Sequence, residues 1–304
     1  YEMQRSLVGS EMCIRDRALD HGNPELMKVW VNTKLGETWE ERGETADDMA
    51  LLARREMYTA TVPAQVLVLT CGIDVQDDRF ELELVGWGVG KESWGIRYQK
   101  IYGDPLKPQI WEDLDKFLQT RWRREDGVVL DILAAAMDTG GHHTDSVYRF
   151  CLDRFYRHIY AIKGRGGTET PFVSKPSTGN RVGVPLYTIG VDNGKTMVYQ
   201  RLNVQTEGPN YCHFPLNEAA GYDEVYFKGL TAEKQVVRWK KGRPTTAWEL
   251  KDPNYHRNEP LDCRDYALAA LEIANPVLEN PEEETEMQAT QRPAGRRIVS
   301  GGIG

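Results

Sequence analysis

Three acidic residues stand where carboxylates can act together. Asp74 closes the apolar run Val66-Leu67-Val68-Leu69-Thr70-Cys71-Gly72-Ile73. Asp138 closes a second run, Ile132-Leu133-Ala134-Ala135-Ala136-Met137, just before Thr139-Gly140-Gly141, and Asp262 falls in the first turn of a late helix. Carboxylates gathered at one edge of a sheet repel each other unless a positive charge neutralises them, and divalent cations held by oxygen ligands are the usual agent. Such a set can hold two Mg²⁺ or Mn²⁺ ions about 3.5–4 Å apart, one activating water and the other stabilising a leaving oxygen, which is the chemistry of phosphodiester hydrolysis. Glu259, three residues before Asp262 on the same helical face, is a supporting or alternative ligand.

Each acid also has a plainer account. Asp74 can open a turn with Gln76-Asp77-Asp78, and Asp138 can form an Asx-turn that caps the next helix. Asp262 and Glu259 can simply favour the helix dipole. Gly141-His142-His143-Thr144-Asp145 lacks zinc-site spacing and reads as a loop leading into a helix, with either His able to reach a water or phosphate near Asp138.

The elements that must position these acids are legible from periodicity. Val66 to Asp74, Phe80 to Leu84 and Trp94 to Ile101 read as three strands in an antiparallel meander, the second alternating as a half-buried strand does. Trp111, Leu114, Phe117, Leu118 and Trp122 recur at helical spacing. The Asp138 strand follows, then a helix from about Thr144 and a strand Ile159 to Lys163, so the order is β-β-β-α-β-α-β. In that order the first and fourth strands can lie side by side, with Asp74 and Asp138 meeting at one edge. Leu186 to Ile189 reads as a strand and Lys195 to Leu202 as a helix, while 209–248 carries no clear pattern. The last helix begins at Asn258 as N-cap, tolerates Pro260 in its first turn and stops at Asn275-Pro276. A weaker helix is expected over Asp47 to Tyr58, with Met49, Leu52 and Met57 as its apolar stripe.

A chain of 304 residues with 40% hydrophobic content can bury a sizeable core. No apolar stretch approaches the roughly 20 residues that span a bilayer, and an intracellular protein is expected. The five cysteines are scattered, without a CxxC pair, and are expected to be reduced. A net charge of −8 argues against coating nucleic acid through overall charge. Short basic strings at 121–124, 163–165 and 238–243 leave local tracks open. Residues 1–17 carry a stretch, Ser6 to Arg17, that resembles translated sequencing-adaptor sequence and are set aside as non-native; 18–60 read as a connector, 61–275 as the folded domain and 276–304 as a disordered tail.

The strings Gly72-Ile73-Asp74-Val75-Gln76-Asp77-Asp78-Arg79, Gly86-Trp87-Gly88, Glu92-Ser93-Trp94, Met137-Asp138-Thr139-Gly140-Gly141, Ile162-Lys163-Gly164 and Asn258-Glu259-Pro260-Leu261-Asp262-Cys263, with Tyr266-Ala267-Leu268-Ala269-Ala270, occur in one order. Together, over roughly Trp30 to Ala274, they resemble the C-terminal nuclease domain of the lambda-type phage terminase large subunit. The resemblance implies an α/β, ribonuclease-H-like mixed sheet flanked by helices. It implies an endonuclease that cuts concatemeric viral DNA during genome packaging in the host cytoplasm, using bound Mg²⁺ or Mn²⁺. Asp74, Asp138 and Asp262 match the family's acids, Lys163 its phosphate-contacting or charge-stabilising lysine. Double-stranded DNA, the small terminase subunit and the portal are the implied partners. The chain departs from the family pattern at Pro260, which shifts the expected helix start.

The resemblance also implies an N-terminal ATPase motor preceding the connector. The nearest string to a phosphate loop, Gly190-Val191-Asp192-Asn193-Gly194-Lys195-Thr196, has three residues between its glycines where four are needed. Lys195 therefore reads as a helix-start lysine or a DNA-backbone contact. A non-catalytic DNA- or portal-docking module is the alternative function, and nucleotide hydrolysis at 190–196 a weaker third.

Overall fold

The computed structural model describes residues 45–240 and 243–279. The chain divides into two compact units, residues 44–235 with 247–304, and residues 1–43 with 236–246. The second is represented among the described residues only by part of a two-stranded ribbon; the segment 1–17 read as non-native, residues 18–44 of the 18–60 connector and residues 280–304 of the 276–304 tail lie outside them. The first unit carries the site.

That unit opens with α1 (Asp48–Ala53), capped by Asp47, whose carboxylate accepts from the amides of Met49 and Ala50 at 2.9 and 3.1 Å. The helix is shorter than expected and its inward residue is Leu51; Met49 and Met57 are exposed. Arg55 at 3.4 Å takes the last carbonyl of this turn, and Arg54 donates to the carbonyls of Leu202, Val204 and Cys212. The 45–58 segment is thereby tied to the core.

β1 (Val68–Val75), β2 (Arg79–Trp87) and β3 (Ser93–Tyr102) form the expected antiparallel meander. Then follow α2 (Pro108–Leu118), the short pair β4 (Trp122–Arg123) and β5 (Val129–Leu130), β6 (Ile132–Asp138), α3 (Thr144–Asp153), β7 (Ile159–Arg165) and β8 (Leu186–Gly190). α4 (Val191–Leu202) starts directly at the end of β8, four residues before its expected start. Beyond it lie β9 (Cys212–His213), α5 (Glu224–Leu230), the ribbon β10 (Glu233–Lys240) and β11 (Arg243–Leu250), and α6 (Glu259–Ala274).

The main sheet has seven strands in the order β8-β7-β6-β1-β2-β3-β9. β1 pairs antiparallel with β2 and parallel with β6, and β6, β7 and β8 run parallel. This mixed meander-plus-parallel sheet, flanked by helices, is the ribonuclease-H-like arrangement expected from the motifs.

One face of the sheet, with Cys71, Ile73, Phe80, Leu82 and Leu84, packs on Ile110, Leu114 and Leu118 of α2 and on Val147 and Phe150 of α3. The other face carries α6. Almost every residue of this helix from Glu259 to Leu271 is buried, so it lacks a solvent stripe. Each fully buried leucine contributes about 1.5–3 kcal/mol; Leu261, Leu268 and Leu271 are such residues. Under α6 the polar positions of β2 are not half-exposed, as alternation suggested, but sealed. Glu83 is fully buried, with Arg264 Nη2 donating to it at 2.5 Å and the Tyr226 hydroxyl at 2.7 Å. Alternation records polarity; here the polar face is matched by partners on the covering helices.

Candidate active site

The register of the sheet sets the first two acids side by side. Ile73 of β1 pairs with Met137 of β6, so the next residue of each parallel strand, Asp74 and Asp138, arrives at the same C-terminal edge. Asp74 is buried and accepts from Gln76 Nε2 at 2.5 Å. Asp138 pairs with Ile162 of β7 and accepts from the Gly140 amide at 3.1 Å, so the Thr139-Gly140 turn orients its carboxylate.

The third acid comes from α6, which lies unusually close to β1. A Cβ on Gly72 would sit 1.9 Å from the carbonyl oxygen of Cys263, so only a residue without a side chain permits this approach. The Thr70 hydroxyl donates to the Ala267 carbonyl at 2.7 Å and pins the helix further along. Asp262, in the first turn, is thereby carried to the edge that Asp74 and Asp138 occupy. Tyr266, one turn on, registers the convergence. Its hydroxyl is held well above the ordinary tyrosine range by burial first and then by the charges of Asp262, Asp138 and Asp74.

Burial dominates the electrostatics at this edge. Burial pushes the Asp74 carboxyl up to about 8, the charge of Asp262 adding to it, the Gln76 hydrogen bond opposing it, and Asp138 and Glu259 adding further. Asp262 is pushed up to about 6 by burial, with Lys195 pulling it back and Glu233 and Asp138 raising it. Asp138 is raised by burial against the Gly140 and Thr139 amides and the charge of Lys163. Lys163 itself is exposed at the end of β7.

Around the acids lies a frame of polar side chains that their local sequence does not announce. Arg79 joins Glu81 at 2.6 Å and Glu259 at 2.8 Å, so Glu259 is engaged in an ion pair. Lys195, read from the sequence as a helix-start lysine or a DNA-backbone contact, is buried in the second turn of α4 and donates to Glu233 at 2.6 Å while lying 3.5 Å from Asp262 Oδ1. Asn258 occupies the N-cap position of α6 but makes no capping bond; its amide donates to Glu233 at 2.8 Å and to Asp262 at 3.1 Å. Asp265 is fully buried with both oxygens unpartnered. His142 and His143 meet Asp77 at 3.1 and 3.2 Å on the loop leading into α3.

Among the described residues no three His, Cys, Asp or Glu side chains, as placed, close around a point that could hold an ion. Each acid leans instead on its own neighbour. The donor set is nevertheless oxygen-only and negatively charged, which is what Mg²⁺ and Mn²⁺ select, and the raised Asp74 and Asp262 mark the charge such a cation would compensate.

Residues 11–281 match the family described as terminase large subunit gpA, endonuclease domain. The chain belongs to that family. It is 38% identical over 266 residues to the terminase large subunit of Escherichia phage lambda, covering 86% of this chain and 41% of that protein. It is 32% identical over 294 residues to the terminase large subunit of Enterobacteria phage P21, covering 92% of this chain and 45% of that protein. The chain thus spans less than half the length of these curated relatives. A mutant nuclease domain of the large terminase subunit gp2 of bacterial virus Sf6, solved with manganese, aligns at 12% identity with a TM-score of 0.40, over 67% of this chain and 89% of that chain.

Within this terminase endonuclease domain, the motif acids Asp74 and Asp138 share one edge with Asp262 near it, Lys163 lies on β7 beside Asp138's pairing partner Ile162, and Glu259 is paired with Arg79. Glu233 and Asp265 carry no signal in the sequence. Lys195 and Asn258 do, but for other roles: the Gly194-Lys195-Thr196 string points toward nucleotide, and Asn258 toward helix capping, rather than toward Asp262.

Proposed function

We propose that the chain is a metal-dependent endodeoxyribonuclease that cuts concatemeric viral DNA during genome packaging. What supports this reading is the arrival of Asp74 and Asp138 at the C-terminal ends of two adjacent parallel strands, with Asp262 of α6 near enough for its charge to raise Asp74. When bound there, one or two Mg²⁺ or Mn²⁺ ions would supply Lewis-acid polarisation of a phosphodiester and an activated water.

The protein's own residues hold and orient. Asp74 and Asp138 offer oxygens from rigid strand ends, and Asp262 offers a third from a helix locked to the sheet through Gly72. Thr139 and Gly140 fix the Asp138 carboxylate, and Gln76 fixes that of Asp74. Lys163, exposed beside Asp138, is placed to meet a DNA phosphate and the charge that develops on it. Glu259 steadies the site through Arg79 and stands as an alternative ligand.

The nuclease domain in this reading is 61–275 together with the packed segment 45–60, which the sequence alone assigns to the connector, and an ATPase motor precedes the remaining connector. Double-stranded DNA is its substrate, and the small terminase subunit and the portal are its partners in the host cytoplasm. The test is plasmid cleavage by the purified chain with Mg²⁺ or Mn²⁺. The parent is expected to nick or linearise the plasmid, while Asp74→Ala and Asp138→Ala are expected to lose about 100-fold or more of that activity and still fold. DNA binding without cleavage, unaffected by Mn²⁺, would favour a docking module instead.

A further inference from the structure

The geometry points to Lys195 as a positioning residue of the nuclease: with Glu233 and Asn258 it closes a ring of polar contacts that fixes the orientation of the Asp262 carboxylate. The inference rests on the assignment of Asp262 as a cation ligand. Lys195 Nζ donates to Glu233 Oε1 at 2.6 Å and lies 3.5 Å from Asp262 Oδ1. Asn258 Nδ2 donates to the same Glu233 oxygen at 2.8 Å and to Asp262 Oδ2 at 3.1 Å. Each oxygen of Asp262 therefore has its own neighbour, and the two neighbours share Glu233 as anchor. The side chains of Lys195 and Glu233 are each only 8% exposed, so this ring is closed off from bulk water where Asp262, at 20%, still opens toward the edge.

The helix that brings Lys195 there is built for it. A Cβ on Gly194 would stand 2.0 Å from Asp265 Oδ1 and 2.6 Å from the Phe172 ring, so the glycine lets α4 press against α6 one turn beyond Asp262. Two groups of the same string that a phosphate cradle would use are already engaged. The Gly190 amide is taken up by the carbonyls of Phe172 and Pro171 at 2.9 and 3.1 Å, and the Thr196 hydroxyl donates to the Asp192 carbonyl at 2.7 Å. Its Gly-Lys pair serves close helix packing and delivery of an ammonium beneath a catalytic acid. An exposed or DNA-facing lysine would not need Gly194.

The test compares three variants of the full chain with the parent: Asp262→Asn, the double change Lys195→Met with Glu233→Gln, and Asn258→Ala. Mn²⁺ affinity is read by calorimetry, cutting on supercoiled plasmid, and folding by melting in EDTA. The double change removes one positive and one negative charge, so a loss of affinity reports orientation rather than net charge. It is expected to weaken Mn²⁺ binding and slow cutting by about tenfold or more, the range seen when groups that orient metal ligands are removed. A smaller loss in a folded double variant overturns the inference. Should that variant fail to fold, Asn258→Ala decides in its place, with the same expectation and the same overturning result. If Asp262→Asn keeps parental Mn²⁺ affinity and cutting, the assignment of Asp262 itself falls; if it loses both while the double variant does not, only the role of Lys195 falls.

Discussion

Asp74 and Lys163 stand near one sheet edge with opposite electrical character. Asp74 is sealed at a strand end and resists ionisation, whereas Lys163 is exposed at the end of β7 with its charge felt at Asp138. Replacing Lys163 by Ala should slow plasmid cutting by about 100-fold, the scale for losing one electrostatic stabiliser of a developing oxyanion. Because the side chain is exposed, its loss should shift stability by no more than about 0.5 kcal/mol in urea denaturation. Unchanged cutting would leave it a surface lysine. At this scale the acids were legible because Asp after an apolar strand is a local pattern. Lys195, Glu233 and Asn258 were not, since burial of a polar side chain depends on partners 25–67 residues away along the chain. Asn258 illustrates the difference: its place at the start of α6 follows from sequence, but its amide serves Glu233 and Asp262 instead of the helix.

At the scale of elements, α6 is the piece that turns two strand ends into a site, and its seat depends on Gly72 and Arg264. Gly72→Ala would force a methyl into the Cys263 carbonyl, so we expect a loss of at least about 1–3 kcal/mol in urea denaturation. Cutting should fall further than that loss alone predicts, because the lifted helix takes Asp262 with it. Arg264→Met should cost about 3–5 kcal/mol in the same measurement, since Glu83 would be left buried without its cation. Wild-type stability in either variant would refute this seating. The strands around Asp74 and Asp138 and the last helix were legible because their runs are long and strictly patterned. Although β10 and β11 are eight residues each, the elements between 209 and 232 are too short to carry a period: β9 is two residues and α5 seven. Their positions are set by the aromatic packing of Phe214, Tyr222, Tyr226 and Phe227, which links segments far apart in sequence.

For the whole molecule, the acidic edge ties stability to pH. Asp74 is moved from an ordinary 3.8 to about 8 and Asp262 to about 6, and Glu83 and Asp265 are displaced in the same direction by burial. A raised carboxyl contributes stability that is fully present below its unfolded value and is lost as pH climbs through its folded one, because the unfolded chain releases the proton first. Asp115, held low by Arg154 and Arg157 against the effect of burial, behaves oppositely and matters only under more acidic conditions. Melting in EDTA is therefore expected to drop steadily between about pH 5 and pH 8. Mn²⁺, which binds the ionised acids, should raise the melting temperature more at the alkaline end of that range than at the acidic end. A flat profile, or Mn²⁺ stabilisation that shrinks with pH, would contradict the raised, buried carboxyls.

The thiol of Cys263 donates to the Glu81 carbonyl at 3.3 Å, sealed between α6 and the sheet next to Asp262. It is a built-in chemical clock. Under native conditions an alkylating reagent can reach it only when the helix rises from the strands, so its labelling rate counts those openings. With Cys71, Cys151 and Cys212 also buried and free, mass spectrometry of the labelled peptides would separate local lifting of α6 from loosening of the whole unit.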